Sequence, residues 1–184
     1  SYTDLGRFRI NMYMQRGEVS MVIRYIKADI PSIDELNLPA VYKNIMKKKK
    51  GLVFIVGATG TGKSTSLASM LDYRNSLDTG HILTIEDPIE FMFHHKKCII
   101  GQREVGLDTL SFENALCEAM REAPDVIMIG EARDRMTVES ALRYADTGHL
   151  CLTTLHATNS NQTLDRILNF FPSDAHNQIL MDLS

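Results

Sequence analysis

Cysteine is scarce in this chain, and the three present, Cys98, Cys117 and Cys151, are too few and too scattered for a disulfide framework or a zinc site, so reduced thiols are expected. No apolar stretch approaches the ~20 residues needed to span a bilayer, and the start carries no charged-then-apolar leader. A soluble, cytoplasmic protein with no membrane insertion is expected. An excess of charge of one sign is also lacking: 20 Lys and Arg stand against 23 Asp and Glu, net -3, which gives no overall attraction to nucleic acid or to an anionic membrane. The one dense basic run, Lys47 to Lys50, reads as a solvated helix end. Basic residues are not interleaved with aromatics in the manner that tracks a single strand, so no nucleic-acid partner is expected. No Asn-Lys-x-Asp string reads guanine, no internal repeat occurs, and nothing apart from the lysine run is of low complexity.

What is there suits a globular chain. With 184 residues, 44% hydrophobic and 23% charged, it is long enough for one well-buried core and a small appendage. Phe8, Ile10, Met12 and Met14 alternate with polar residues, and Val19, Met21, Ile23 and Tyr25 do so again after Gly17, which is a β-hairpin signal. The strand pattern starts as early as Thr3, and an apolar helical pattern runs up to Ser184, so a longer parent chain is expected. A polar stretch with Pro31 and Pro39 follows the hairpin and carries the capping-box spacing Ser32-x-x-Glu35 of a short helix. It reads as a linker. Beyond it, apolar runs at Leu52 to Val56, Ile82 to Ile85, Val126 to Ile129 and Leu150 to Leu155 are separated by helical stretches. These helical stretches run from about Lys63 to Arg74, Ser111 to Arg121, Thr137 to Asp146 and Asn161 to Phe170, with Ser173 as N-cap of a last helix. Such alternation predicts an α/β fold with a parallel sheet covered on both faces. The expected division is a hairpin domain over 1–29, a linker over 30–38 and a main domain over 39–184.

Between the first of those runs and the first helix lies Gly57-Ala58-Thr59-Gly60-Thr61-Gly62-Lys63-Ser64, the P-loop pattern in the strand-then-helix setting that its mechanism requires. Glycines let the backbone curl so that several N–H groups converge on an anion, and the helix adds its positive N-terminus. Lys63 is then placed to reach the β and γ phosphates of ATP. The Ser64 hydroxyl is placed to hold Mg²⁺, an ion that prefers phosphate and water oxygens to an all-protein cage.

Ligands of open α/β sheets sit beyond the carboxyl ends of the strands. Two acidic clusters arrive there: Glu86-Asp87-Pro88-Ile89-Glu90 after one apolar run and Gly130-Glu131 after another. ATP hydrolysis needs a group to orient or deprotonate water and carboxylates to hold the metal, which gives the convergence a chemical purpose. His149 and His156 flank the last run at a separation of about 23 Å, so both cannot touch one γ-phosphate, and strand direction selects His156. His149 is left open between a core and an interface role. His81, His94, His95 and His176 have no metal-binding spacing.

These residues together resemble the retraction ATPases of type IV pili, of the PilT/PilU family within the secretion ATPase superfamily, and the PilU type most. The resemblance runs from Asp4-Leu5-Gly6-Arg7-Phe8-Arg9 to Leu180-Met181-Asp182-Leu183-Ser184. It rests on the Walker A loop Gly57 to Ser64, the Asp box Thr84 to Glu90, the Walker B segment Asp125 to Glu131 and the His box Gly148 to His156. It implies a RecA-like P-loop core preceded by the hairpin end of a PAS-like domain. By the same resemblance Glu90 is the general base, Glu131 the acid that holds Mg²⁺ through water, and His156 the γ-phosphate contact, while Thr65, Glu86 and Asp87 also border the nucleotide. It implies a homohexamer on the cytoplasmic side of the inner membrane that works beside a PilT-type motor and a platform protein of the pilus. An extension or secretion motor is the alternative, disfavoured by the absence of a four-cysteine insert. A nucleotide-binding ring subunit with little turnover of its own is the other.

If the hairpin turns on Arg16 and Gly17, opposite residues have numbers summing to 33, which sets Phe8 against Tyr25, Ile10 against Ile23 and Met12 against Met21. Arg9 then faces Arg24 on the other side, and like charges directly opposite are destabilising. Either the two splay into solvent or pair with acids, or an anion offsets them. The resemblance implies the second, with Arg9 and Arg24 clamping the nucleotide phosphates.

Overall fold

A computed structural model describes residues 7–26 and 29–183 of the chain. The residues expected to begin the first strand ahead of Arg7, the Asp4-Leu5-Gly6 of the resemblance, residues 27 and 28 of the expected hairpin domain and the terminal Ser184 lie outside the described residues.

Strands β1 (Arg7–Gln15) and β2 (Glu18–Ile26) form an antiparallel pair. Both turn residues sit in the left-handed region, Arg16 at φ 53° and Gly17 at φ 82°, as a two-residue turn matched to strand twist requires. The register is the one expected: Phe8 opposes Tyr25, Arg9 opposes Arg24, Ile10 opposes Ile23 and Met12 opposes Met21. The Phe8 and Tyr25 rings meet with centroids 5.3 Å apart. Most apolar side chains of this hairpin are exposed.

The second sheet has five strands, all parallel, in the order β3-β7-β6-β4-β5. They are β3 (Gly51–Val56), β4 (Gly80–Glu86), β5 (Cys98–Glu104), β6 (Val126–Ile129) and β7 (Leu150–Leu155). The apolar runs of β6 and β7 are buried along their whole length, as central strands covered on both faces must be. Successive side chains go to opposite faces. On one side Ile82, Val126, Met128 and Leu152 pack with Leu67, Met70 and Leu71 of α2 (Lys63–Leu77). On the other, Leu83, Ile85, Ile127 and Ile129 meet α3 (Phe112–Ala119) and α4 (Arg135–Asp146) through Phe112, Ala115, Leu116 and Ala141. A third cluster joins Leu155 and Val138 to Ile167 of α5 (Ser160–Leu168), Phe171, and Ile179 of α6 (His176–Asp182). The expected α/β class with a parallel sheet is borne out.

Several local expectations need correction. Strand β5 was not among the expected runs: its apolar stretch is only Cys98 to Ile100, and Gln102, Arg103 and Glu104 complete it. It is secured from α2 by Asn75, which is fully buried, accepts from the backbone N–H of Lys96 and of Cys98 at 3.1 and 3.2 Å, and donates to the His94 carbonyl at 2.7 Å. Ser32 and Glu35 do exchange the bonds of a capping box, Ser32 N–H to Glu35 Oε2 at 2.7 Å and Glu35 N–H to Ser32 Oγ at 3.2 Å, but a run of turns follows, and the short helix α1 is Val41–Ile45. Ile33 is 2% exposed in the core beside Met46. Helix α4 begins earlier than expected because Asp134 caps it, accepting from Thr137 N–H at 2.9 Å. Ser173 makes no cap bond; a short 3-10 turn over Ser173–Ala175 runs directly into α6.

The thiols differ in access. All three cysteines are free, with Cys98 and Cys151 buried and Cys117 exposed on α3. Burial pushes the Cys151 thiol up to about 12.

Candidate nucleotide site

Register brings the motifs together. Ile85 pairs with Ile129, Ile129 with Thr153, and Val56 with Leu155, so β4, β6, β7 and β3 all end on one edge of the sheet. The residues leaving that edge are Glu86, Gly130-Glu131, His156 and Gly57. Glu86, Gly130, Glu131 and His156 line a cleft of about 520 Å³.

The glycine-rich loop closes one wall. Gly60 at φ 79° and Gly62 at φ 91° take left-handed backbone, and a side chain at Gly57 would lie 2.5 Å from the Thr61 hydroxyl. Thr61 Oγ1 donates to the Ala58 carbonyl at 2.8 Å, and Lys63 Nζ donates to the carbonyls of Gly57 and Ala58, both at 3.0 Å. Gly62 caps α2 with no side-chain oxygen, which leaves the first-turn N–H groups of a fifteen-residue helix directed at the loop. Thr59, Gly60, Gly62, Lys63, Ser64 and Thr65 line the cleft, whereas Gly57, Ala58 and Thr61 shape the loop from behind.

The facing wall is acidic. Glu86, Asp87, Glu90 and Glu131 line it. Glu86 is buried, and burial pushes its carboxyl up to about 7 against the opposing pull of bonds from the Thr84 hydroxyl and the Glu90 N–H. Glu90 is exposed, with its carboxylate free to meet water or ligand. His156 joins the walls: its Nδ1 is 3.5 Å from Lys63 Nζ, and its Nε2 is 3.3 Å from Glu131 Oε1. An ammonium can only donate, so Nδ1 accepts and the ring proton sits on Nε2, directed at the carboxylate. Ser64 and Glu131 thus present oxygen donors to one cleft, a set that suits Mg²⁺ retaining waters and phosphate oxygens. Among the described residues no cluster of three or more His, Cys, Asp or Glu could hold a metal by itself.

The hairpin reaches the same region. Arg24 lines the cleft, and Arg9 and Arg24 together line an adjoining hollow of about 240 Å³ against Pro88, Ile89, Glu90 and Phe91. His149 lies at the opposite edge, where Nδ1 is 3.1 Å from the Tyr144 carbonyl and 3.1 Å from Thr147 Oγ1, and the ring stands edge-on to Tyr144. That places it in the packing around the end of α4. His81 and His95 are tied to the Glu122 carbonyl and the Ile100 N–H.

Arg133 was missed in the sequence. It lines the cleft, pairs with Asp87 at 3.3 Å and lies 4.6 Å over the Phe112 ring. Its position two residues past Glu131, on the same strand exit, was the available signal.

Comparison with known proteins places the chain in a family. The pattern of the family described as Type II/IV secretion system protein matches residues 7–179. The type IV pilus ATPase PilU of Pseudomonas aeruginosa is 59% identical over all of this chain and 48% of its own length. The type IV pilus retraction ATPase PilT of the same organism is 47% identical over 92% of this chain and 49% of its own. The chain therefore spans about half the length of these curated relatives. The crystal structure of the pilus retraction motor PilT with bound ADP superposes with a TM-score of 0.95 at 49% identity, over 99% of this chain and 53% of that one. The ATPase DotB of Legionella pneumophila does so at 0.86 and 32%, over 96% of this chain and 50% of that one.

Proposed function

Because the chain belongs to the Type II/IV secretion system protein family, we propose that it is the nucleotide-binding core of an ATP-hydrolysing subunit that powers type IV pilus retraction, of the PilU kind. The observation that carries this reading is the convergence of Lys63, Glu90, Glu131 and His156 on one cleft closed by a P-loop. Each residue has a role that its chemistry suits. The loop amides and the α2 N-terminus hold the phosphates, and Lys63 exchanges the Gly57 and Ala58 carbonyls for β and γ oxygens. Glu90, exposed at the opposite wall, takes the proton of the attacking water. His156 contacts the γ-phosphate and links it to Glu131. Ser64, and Glu131 through water, would hold Mg²⁺, which when bound would supply positive charge to offset that developing on the phosphates.

Arg9 and Arg24 close the hairpin onto the phosphates as guanidinium clamps, which offsets their mutual repulsion and turns the presence of γ-phosphate into movement of the hairpin domain. In the assembled motor the subunits form a homohexamer at the cytoplasmic face of the inner membrane, beside a PilT-type partner and the platform protein of the pilus. The support for this is the likeness to PilU and PilT. No described helix is long and apolar enough to cross a membrane.

Steady-state ATPase assays on the full-length chain, alone and with a PilT-type partner, test the reading. Mg²⁺-dependent turnover that Lys63→Ala abolishes is expected. Turnover unaffected by Lys63→Ala sinks it, and turnover found only with the partner present assigns the ring-subunit alternative.

A further inference from the structure

Glu90 sits on a segment without regular structure, between β4 and β5. A base on a free loop samples many positions, yet a misplacement of about 1 Å can cost on the order of a hundredfold in rate. Something must fix the backbone here. Three side chains from the two adjacent strands do so. Glu86 Oε2 accepts from the N–H of Glu90 at 3.3 Å, and Glu104 Oε2 accepts from the N–H of Ile89 at 3.1 Å. Gln102 closes two bonds at once: its Nε2 donates to the Phe91 carbonyl at 2.9 Å, and its Oε1 accepts from the Phe93 N–H at 2.9 Å. Main-chain groups of four residues between Ile89 and Phe93 are thereby held, and Ile89 itself is buried.

We propose that Gln102 and Glu104, on the edge strand β5, are positioning residues for Glu90, acting through the main chain of its loop. This rests on the assignment of Glu90 as the base. Neither residue lines the cleft, so neither meets the nucleotide, and both act only at one remove. The register supports a purpose beyond sheet formation. Thr84 pairs with Gln102 and Glu86 with Glu104, which sets two buried carboxyl groups side by side at the strand ends, an arrangement that desolvation opposes. Loop amides supply the offsetting donors. A strand end needed only for packing would carry apolar residues there; this one carries the hydrogen-bonding groups that match the loop.

The test uses kcat, KM and nucleotide affinity of the full-length chain. Gln102→Met and Glu104→Met keep side-chain length and remove the bonds; each is expected to lower kcat about ten- to a hundredfold while the dissociation constant for ATP stays within about twofold, since the P-loop is untouched. Glu104→Gln retains an acceptor for Ile89 and restores most of kcat. Gln102→Glu, which keeps the acceptor for Phe93, is the milder second variant should Gln102→Met lower the urea midpoint below working conditions. In a Glu90→Gln background, Gln102→Met adds no further loss. Parental kcat in both Met variants overturns the proposal, as does a Gln102→Met penalty of equal size with and without Glu90. Should Glu90→Gln alone turn over at the parental rate, the assignment of the base fails. The harness is then judged separately by amide exchange at Ile89, Glu90 and Phe93: faster exchange in Gln102→Met supports it, and unchanged exchange refutes it.

Discussion

His156 Nε2 stands 3.3 Å from a carboxylate oxygen of Glu131, and the two reach that contact from the ends of neighbouring parallel strands at one edge of the sheet. With Nδ1 turned to Lys63, the ring connects the lysine of the glycine-rich loop to the proposed metal-linked acid. His156→Ala is therefore expected to blunt the distinction between ATP and ADP more than it weakens ADP binding. A hydrogen bond to a charged group contributes about 1.5–3 kcal/mol, so the ratio of the two affinities should fall roughly tenfold or more. Fluorescence titration with both nucleotides reads this directly; an unchanged ratio refutes the contact.

The Glu86 carboxyl gives a pH signature. Its ordinary value of 4.5 is raised by burial to about 7, so the folded chain holds the proton through a range in which the unfolded chain has released it. Its contribution to stability is full below about 4.5, is lost as pH rises through 7, and is constant above that. The loss is about 3 kcal/mol. Glu86→Gln should remove this slope, so that the stability difference between parent and variant, measured by urea unfolding without nucleotide or Mg²⁺, shifts by that amount between pH 4.5 and pH 8. Parallel curves would disprove it.

Arg9 and Arg24 make opposite demands on fold and function. Both are exposed and directly opposed in the hairpin. Converting either to Gln relieves repulsion and should leave stability unchanged or raise it by a few tenths of a kcal/mol. ATP turnover of the assembled full-length motor should nonetheless fall about tenfold, the loss of one charge-assisted phosphate contact. Turnover at the parental rate in both variants would rule out the clamp.

Asn75 is expected to be the most sensitive polar position of the core. Asn75→Leu strands the backbone groups of His94, Lys96 and Cys98 that its amide now satisfies. The expected cost is about 2–4 kcal/mol, read as a lower urea midpoint. A change below about 0.5 kcal/mol would mean that water replaces the amide.

The contrast between what the residues disclosed and what they hid has a physical basis. The hairpin register followed from arithmetic because side chains alternate with period two and a two-residue turn leaves no slack. Strands β3, β4, β6 and β7 announced themselves as apolar runs because they are covered on both faces. Strand β5 did not, since Gln102 and Glu104 spend their polar groups on a loop that only the folded chain brings alongside. The P-loop and the acidic clusters were legible because strand direction alone sends them to one edge. Arg133 and the contact of His156 with Lys63 were not, because which side chains cross the cleft depends on strand order. The order β3-β7-β6-β4-β5 is not written in any local pattern. Ser32 misled for the converse reason: its capping bonds formed as expected, but the turns after it never became a helix.

The unequal burial of the three thiols has an experimental consequence. Maleimide reagents attack thiolates that they can reach, and here Cys98 and Cys151 are enclosed while Cys117 stands open on α3. The unaltered sequence therefore carries a single-site attachment point for a dye or spin label on the helical layer, across the sheet from α2. A second cysteine introduced at the hairpin tip, at Arg16, would complete a pair, and the distance between the two labels would follow the hairpin as nucleotide is added or withdrawn.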